Sequence, residues 1–179
     1  LQSFEIKDIV VNFHHFTNQI EKAIEKNNGW GSNIIISDER NEVLETGGGL
    51  LKAKDLFTPG EKFITCNVDI LTNLDISKLI NFHSANKALI SFAVTNRKTS
   101  RYLLFDENNR LCGWRNTKTG EEKGPHLTSP EGRGTTSLIE KAYSCVVVFE
   151  YDIFRLMEEN NFSGKFSLID VYLKLAADH

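Results

Sequence analysis

The stretch Phe63-Ile64-Thr65-Cys66-Asn67-Val68-Asp69 decides the fold, because it reads as a short apolar strand that ends on a carboxylate. In open α/β sheets, ligands bind just beyond the carboxyl ends of the strands. A second unusual segment precedes it, Leu44-Glu45-Thr46-Gly47-Gly48-Gly49-Leu50-Leu51-Lys52-Ala53, with three consecutive glycines. Glycine permits positive φ and lets the main chain approach a flat ligand closely. Together the two segments predict a nucleotide pocket.

The composition favours one domain that binds neither a polyanion nor a membrane. The 179 residues are 40% hydrophobic and 25% charged, with a formal net charge of -3. A chain of this length buries a sizeable core, without a basic field to attract nucleic acid or an anionic membrane. Apolar runs such as residues 145–149 are too short to span a bilayer. The three widely spaced cysteines predict buried thiols in a reducing, cytoplasmic compartment.

Apolar, β-branched runs alternate with helical patterns, which predicts an α/β fold. The expected strands cover residues 7–13, 33–37, 63–66, 88–94 and 142–150, with an antiparallel hairpin at 102–105 and 111–114. The expected helices cover residues 17–26, 50–55, 76–84, 152–158 and 167–177, and the polar stretch 117–137 is expected to form a loop. The sheet is therefore predicted to be Rossmann-like and mixed, mostly parallel, with flanking helices.

Both ends of the chain depart from the usual arrangement of such a domain. Residues 1–5 have the pattern of a loop that follows a helix, and a strand of the sheet begins at Lys7. The last helix runs to His179 without a closing strand. We therefore expect residues 1–179 to form a single, partial domain, truncated at both ends and belonging to a longer protein.

Five short motifs occur in a fixed order along nearly the whole chain, at residues 9–15, 37–39, 44–49, 67–69 and 164–170. This ordered set resembles the bacterial sugar-1-phosphate nucleotidyltransferases. The resemblance is closest to the branch of mannose-1-phosphate guanylyltransferases and N-acetylmuramate-1-phosphate uridylyltransferases, and it implies a sheet of the nucleotide-diphospho-sugar transferase type.

Two features of that family have no counterpart in this sequence. The family begins with a glycine-rich G-x-G-x-R loop and a lysine, which cradle the triphosphate, and it ends with a strand that carries a second metal-binding aspartate. The resemblance therefore implies an active parent protein, whereas the 179-residue chain alone is expected to be inactive, with the central edge of its sheet or its pocket exposed or covered by a partner chain.

The implied reaction is an in-line phosphoryl transfer. The phosphate oxygen of a sugar 1-phosphate attacks the α-phosphorus of an NTP, pyrophosphate leaves, and an NDP-sugar remains. The resemblance implies Mg²⁺ as cofactor, an NTP and a sugar 1-phosphate as partners, and allows a homo-oligomer. Two alternatives stay open: a glycosyltransferase that uses an NDP-sugar, and a non-catalytic module that binds a nucleotide or a sugar phosphate.

The resemblance also assigns roles to residues on the nucleotide side of the pocket. Read alone, Asp69 is either a turn or cap residue or a ligand of Mg²⁺, which commonly takes one or two carboxylates plus substrate phosphates. The resemblance makes Asp69 the metal ligand and a catalytic group. The residues it assigns to the nucleotide are Glu45, Thr46, Gly47, Gly48, Gly49 and Asn67.

The sugar side is assigned in the same way to Ser144, Cys145, Lys165 and Ser167. Cys145 stands where relatives carry a glycine, which puts a close approach of the sugar there in doubt. Lys165 is expected to supply positive charge to the sugar phosphate and to act in catalysis, although a lone lysine is as readily a solvated surface group.

Other conspicuous residues have structural interpretations. Asp75 is expected to cap a helix, as is Asp170. His14 and His15 point to opposite faces of a strand and cannot readily ligate one metal ion together. The basic cluster Arg97, Lys98 and Arg101 is interpreted as a solvated strand end. No Ser-His-Asp or Cys-His constellation is recognised.

Overall fold

A computed structural model describes residues 1–124 and 138–178, in which strands and helices alternate as the sequence predicts. The helices are α1 (Thr17–Lys26), α2 (Glu45–Lys52), α3 (Ile76–Ala85), α4 (Ile153–Glu159) and α5 (Leu168–Asp178). The strands are β1 (Asp8–Phe13), β2 (Asn33–Asp38), β3 (Phe63–Cys66), β4 (Ile90–Thr95), β5 (Arg101–Phe105), β6 (Leu111–Asn116), β7 (Glu121–Lys123) and β8 (Ile139–Phe149). Single 3-10 turns occupy Gln2–Phe4, Asn28–Gly31 and Lys54–Leu56.

A two-stranded sheet forms the N-terminal part of the fold. Strands β1 and β2 are parallel, in register from Asp8 opposite Asn33 to Phe13 opposite Asp38. Helix α1 connects them, as a parallel pair requires a crossover connection. Within the described residues neither strand pairs with any other, so β1 keeps one edge free of a neighbouring strand.

A six-stranded sheet contains the other strands, and here the prediction of a mostly parallel arrangement is wrong. Strand β8 pairs antiparallel with β3, β4 and β5, and the β5–β6 and β6–β7 pairs are antiparallel as well. Strands β3 and β4 run in the same direction on the two ends of the α3 crossover, but β8 pairs with both of them in the opposite direction. The mixed α/β class is confirmed, while the only parallel pair in the described part of the chain is β1–β2.

The core lies on both faces of β8. The side chains of Val147 and Phe149 join a large cluster with α4 and α5, whereas Val146 and Val148 pack with Leu79 of α3 in a smaller cluster. This alternation follows from the period of two residues along a strand. The four β8 residues are at most 2% exposed, so the large sheet is the middle layer between α3 and the α4–α5 pair.

Three local predictions need correction. The glycines of residues 47–49 do not precede a helix at 50–55; they lie inside α2. Strand β7 forms within the expected loop at 117–137, and residues 125–137 of that loop lie outside the described part of the chain. Asp170 lies within the first turn of α5, where Ser167 Oγ accepts a hydrogen bond from the Ile169 N–H at 3.2 Å.

Asp75 caps α3 as expected, since its carboxylate accepts a hydrogen bond from the Lys78 N–H at 3.2 Å. In the described residues, no helix has the length and apolar character needed to cross a membrane.

Candidate functional site

A cleft of about 1500 Å³ lies between the two sheets. Residues 8–12 of β1 form part of its lining, and residues 63–66 of β3 form another part, with further contributions from α2, α5, β8 and the β4–β5 connection. The predicted site residues that line it are Glu45, Thr46, Gly49, Asn67, Asp69, Cys145 and Ser167. Gly47, Gly48, Ser144 and Lys165 are not part of the lining. The fold thus brings most of the predicted residues to one place from segments far apart in the sequence.

The triglycine is required for close packing. None of its three residues has positive φ. The expectation that glycine is needed here for a positive φ is therefore wrong. A Cβ on Gly47 would overlap the ring of Phe166, and a Cβ on Gly48 would overlap the carbonyl oxygen of Gly164. The N–H groups of Gly47 and Gly48 both donate to the Phe166 carbonyl, at 2.9 and 3.2 Å. These two amides are therefore already engaged by protein, and a direct reading of a base by them is not supported.

Gly49 contacts a polar pair, Asn12 and the buried Glu39, that the sequence analysis missed. A Cβ at Gly49 would lie 2.8 Å from Asn12 Nδ2 and overlap a carboxylate oxygen of Glu39. The Glu39 carboxylate, in a residue only 3% exposed, accepts hydrogen bonds from the Asn12 amide and from the Leu44 N–H. His14 Nδ1 donates to the Glu39 carbonyl at 2.7 Å. Glu39 is the last residue of the 37–39 motif, and its place in that motif was the feature of the sequence that could have indicated this hydrogen-bonding role.

A side-chain hydrogen bond joins the start of α2 to the start of α5. Thr46 Oγ1 accepts from the Leu168 N–H at 3.0 Å. Glu45 has a φ of 60°, in the left-handed region, where a non-glycine residue is strained. Its carboxylate lies 3.8 Å from Lys165 Nζ, and both side chains are about half exposed. Lys165 Nζ therefore lies beside Glu45, which lines the cleft, but Lys165 itself is not part of the lining.

Asp69 lies in the turn that follows β3, exposed to the cleft. The Asn67 N–H donates to the Cys145 carbonyl at 3.3 Å, which attaches this turn to β8. Burial raises the pKa of the Cys145 thiol, the Asp69 charge raises it further, and Arg97 opposes them. Burial likewise raises the pKa of Cys66, again with a contribution from Asp69. The negative charge of Asp69 thus acts in the same direction as burial on the pKa of both thiols.

Cys145 occupies a backbone conformation that favours glycine. Its φ is 55°, and it lies where the pairing of β8 with β4 shifts register, between the Phe92–Val147 and Val94–Tyr143 pairs. The three cysteines are free, but their burial differs from the prediction: Cys112 is buried, Cys145 is partly exposed and Cys66 is exposed.

A metal ion could be held only with help from a ligand. No group of three or more His, Cys, Asp or Glu side chains in the described residues is arranged to hold a metal. Asp69 supplies a single carboxylate in an open cleft. This donor set fits Mg²⁺ that takes its remaining oxygens from water and substrate phosphates, and it does not fit a closed, all-protein metal site.

Two arginines of the cluster interpreted as a solvated strand end also line the cleft. Arg97 follows β4 and Arg101 begins β5, and both are exposed and part of the lining that contains Asp69. The sequence placed them together but could not show on which side of the sheet their connection lies.

A Ser-His-Glu arrangement, not recognised in the sequence, lies elsewhere in the fold. His83 Nδ1 is 2.9 Å from Ser91 Oγ, and His83 Nε2 is 3.1 Å from Glu150 Oε1. Because Ser91 is 4% exposed and none of the three lines the cleft, a substrate cannot reach its hydroxyl. Burial lowers the pKa of His83, and Glu150 partly offsets this effect. The arrangement joins α3 to β4 and to the end of β8, and its role is structural.

Comparison with solved structures identifies the fold as the nucleotide-diphospho-sugar transferase type. HddC from Yersinia pseudotuberculosis superposes with a TM-score of 0.69 over 94% of this chain and 65% of that one, at 19% identity. HddC has also been solved in complex with GMP-PN, with the same TM-score, coverage and identity. The inositol-1-phosphate CTP transferase from T. maritima superposes with a TM-score of 0.68 over 99% of this chain and 65% of that one, at 14% identity.

Two curated proteins match part of the sequence, and both are N-acetylmuramate alpha-1-phosphate uridylyltransferases. The protein from Neisseria meningitidis serogroup B (strain ATCC BAA-335 / MC58) is 37% identical over 70 residues, which is 39% of this chain and 30% of that enzyme. The protein from Caulobacter vibrioides (strain ATCC 19089 / CIP 103742 / CB 15) is 37% identical over 71 residues, 38% of this chain and 29% of that enzyme. No family model matches the chain. The resemblance to sugar-1-phosphate nucleotidyltransferases is thus confirmed, with matches that span less than a third of these enzymes.

Proposed function

We propose that this chain forms the substrate-binding part of a sugar-1-phosphate nucleotidyltransferase, which makes an NDP-sugar and pyrophosphate from an NTP and a sugar 1-phosphate. The observation that carries the proposal is the convergence of seven predicted site residues on one cleft from α2, β8, and the segments after β3 and before α5. The local identity to two uridylyltransferases supports the same reaction class.

Two groups of predicted residues line the cleft. Glu45, Thr46 and Gly49 belong to α2, where we place the nucleoside. Asp69 in the turn after β3 and Cys145 of β8 form the second group, where we place the reacting phosphates and the sugar. The cleft would thus hold both substrates next to each other. Positioning of this kind supplies much of the rate enhancement of a phosphoryl transfer.

Asp69 is the residue that would hold Mg²⁺, together with substrate phosphates. When bound, the ion would neutralise phosphate charge and orient the oxygens for in-line attack. The chain's own contribution is to fix the carboxylate, since Asn67 ties the turn to the Cys145 carbonyl. No protein nucleophile is needed, which agrees with the burial of Ser91.

The first test compares two aspartates that follow the same strand. Asp69→Asn is expected to abolish the Mg²⁺ dependence of NTP binding by the 179-residue chain and, in an active parent protein, to lower turnover at least about 100-fold, because a metal ion stabilises charge by several kcal/mol. The control Asp75→Asn alters the cap of α3, and Asp75 itself is not part of the cleft lining, so the ligand binding of this variant should be unchanged.

Calorimetric titration with NTPs in the presence and absence of Mg²⁺ measures the first effect, and pyrophosphate release measures the second. Turnover of Asp69→Asn within threefold of the unsubstituted protein would reject the metal assignment. Release of a free nucleotide from an NDP-sugar, without pyrophosphate, would favour the glycosyltransferase alternative.

A further inference from the structure

The β4–β5 connection brings two arginines to the part of the cleft where Asp69 lies. Arg97 and Arg101 both contribute to the lining, as does Thr99 between them. Arg97 Nη2 donates to the Tyr143 carbonyl at 3.3 Å, so the guanidinium lies against β8 just before Cys145. The turn that carries Asp69 is attached to the same strand, because the Asn67 N–H donates to the Cys145 carbonyl at 3.3 Å. Arg97 and this turn therefore contact β8 close together, at Tyr143 and at Cys145.

These arginines differ from others in the fold in lacking a carboxylate partner. Arg40, Arg115 and Arg155 each contact two carboxylates. For example, the N···O distance is 2.7 Å for Arg40–Glu21 and 2.6 Å for Arg155–Glu159. Neither Arg97 nor Arg101 forms a salt bridge with any residue in the ranges 1–124 and 138–178. One of the five N–H donors of Arg97 is used by the Tyr143 carbonyl, and most side-chain donors of the two arginines have no protein partner among residues 1–124 and 138–178.

Several hydrogen bonds hold the connection that carries the two arginines in place. The Thr99 N–H donates to the Tyr102 hydroxyl at 3.0 Å, and the Arg101 N–H donates to Thr99 Oγ1 at 3.3 Å. The Thr117 N–H donates to the Ser100 carbonyl at 2.8 Å, and Lys141 Nζ donates to Asn96 Oδ1 at 2.8 Å. The backbone that positions both guanidinium groups is therefore anchored to β6 and β8, and little ordering is needed when a ligand binds.

We propose that Arg97 and Arg101 form an anion subsite that binds a substrate phosphate group at the Asp69 side of the cleft. Guanidinium groups bind phosphate through paired, charge-assisted hydrogen bonds. The subsite performs the task that the sequence assigned to Lys165, which lies outside the cleft lining beside Glu45. This inference rests on the proposed function for the identity of the ligand, a sugar 1-phosphate or an NTP, and on the geometry alone for the location of the anion.

The experiment measures binding of three probes to the 179-residue chain: inorganic phosphate, glucose 1-phosphate and UTP. Arg97→Gln and Arg101→Gln are each expected to weaken phosphate binding about tenfold or more, which corresponds to about 1.4 kcal/mol. Arg97→Lys keeps the charge but lacks the planar guanidinium, so its phosphate affinity should lie between that of the unsubstituted chain and that of Arg97→Gln. The matched control is Arg155→Gln, which removes one exposed arginine charge on α4, away from the cleft. Thermal unfolding shows that each variant is folded.

A larger loss for glucose 1-phosphate than for UTP assigns the pair to the acceptor phosphate, and the reverse assigns it to the triphosphate; both results support the subsite. Equal losses in the Arg155→Gln control, unchanged affinity in both glutamine variants, or no saturable binding by the unsubstituted chain would each overturn it. The proposed function is judged separately by the Asp69→Asn comparison, so either can fail while the other stands.

Discussion

Replacement of Gly48 by alanine tests why α2 contains three glycines. A Cβ at this position would lie 3.2 Å from the Gly164 carbonyl carbon, closer still to the carbonyl oxygen, and 3.0 Å from Leu44 Cβ. The obstacle is backbone, so a rotation of a side chain cannot relieve it. Either α2 or the segment around Gly164 must move, and that movement disrupts the hydrogen bonds that the Gly47 and Gly48 amides donate to Phe166.

The sign of the change in the free energy of unfolding tests the close-packing explanation, because helix propensity favours alanine whereas close packing disfavours it. Gly48 lies inside a helix without positive φ, so alanine by itself should stabilise the protein by about 0.5–1 kcal/mol. Overpacking of a filled interior typically costs about 1–3 kcal/mol. The balance predicts a net loss of about 1–2 kcal/mol in the free energy of unfolding, or roughly 2–8 °C in melting temperature for a chain of this size.

Urea denaturation of the 179-residue chain measures the loss, and Gly47→Ala provides the comparison. The obstacle at Gly47 includes the Phe166 ring, so the double variant Gly47→Ala, Phe166→Ala should show a smaller combined loss than the sum of the two single variants. No equivalent truncation exists for Gly48. If Gly48→Ala is as stable as the unsubstituted chain or more stable, the close-packing explanation is refuted and the triglycine is only a flexible segment.

Two further predictions concern the stability contributions of His83 and Cys145. Burial lowers the pKa of His83 below the usual value of a histidine, about 6.5. The unfolded chain therefore takes up this proton at a higher pH than the folded chain does, and stability should fall as the pH decreases below about 6.5. Urea denaturation from pH 8 to 5 should show a shallower fall for His83→Gln; an unchanged slope would exclude His83 as the cause. Cys145→Gly should raise the free energy of unfolding by about 0.5–1 kcal/mol, because a φ of 55° is costly for a residue with a Cβ. A loss of stability in urea denaturation would show that the thiol's packing outweighs the backbone strain, while Cys112→Ser reports the cost of removing a buried thiol.

The sequence by itself predicted the features that depend on neighbouring residues. The alternation of strands and helices follows from hydrophobic periodicity, and the cap at Asp75 requires only a carboxylate three residues before the amide it accepts from. The candidate residues at 45–49 and 67–69 came from short motifs, and most of them do line one cleft. Their chemical roles stay predictions, to be decided by the substitutions described above.

The tertiary structure decided the features that join distant segments. The antiparallel pairing of β8 with three earlier strands, the hydrogen bond between Thr46 and Leu168 across 122 residues, and the His83–Glu150 contact across 67 residues have no local signal. The same limit explains why Arg97 and Arg101 resembled an ordinary solvated strand end and why the glycines of α2 resembled an open loop. Periodicity and capping report the neighbours along the chain, whereas a side chain's exposure to a cleft depends on which strands pair across it, and that pairing is fixed only when the whole core assembles.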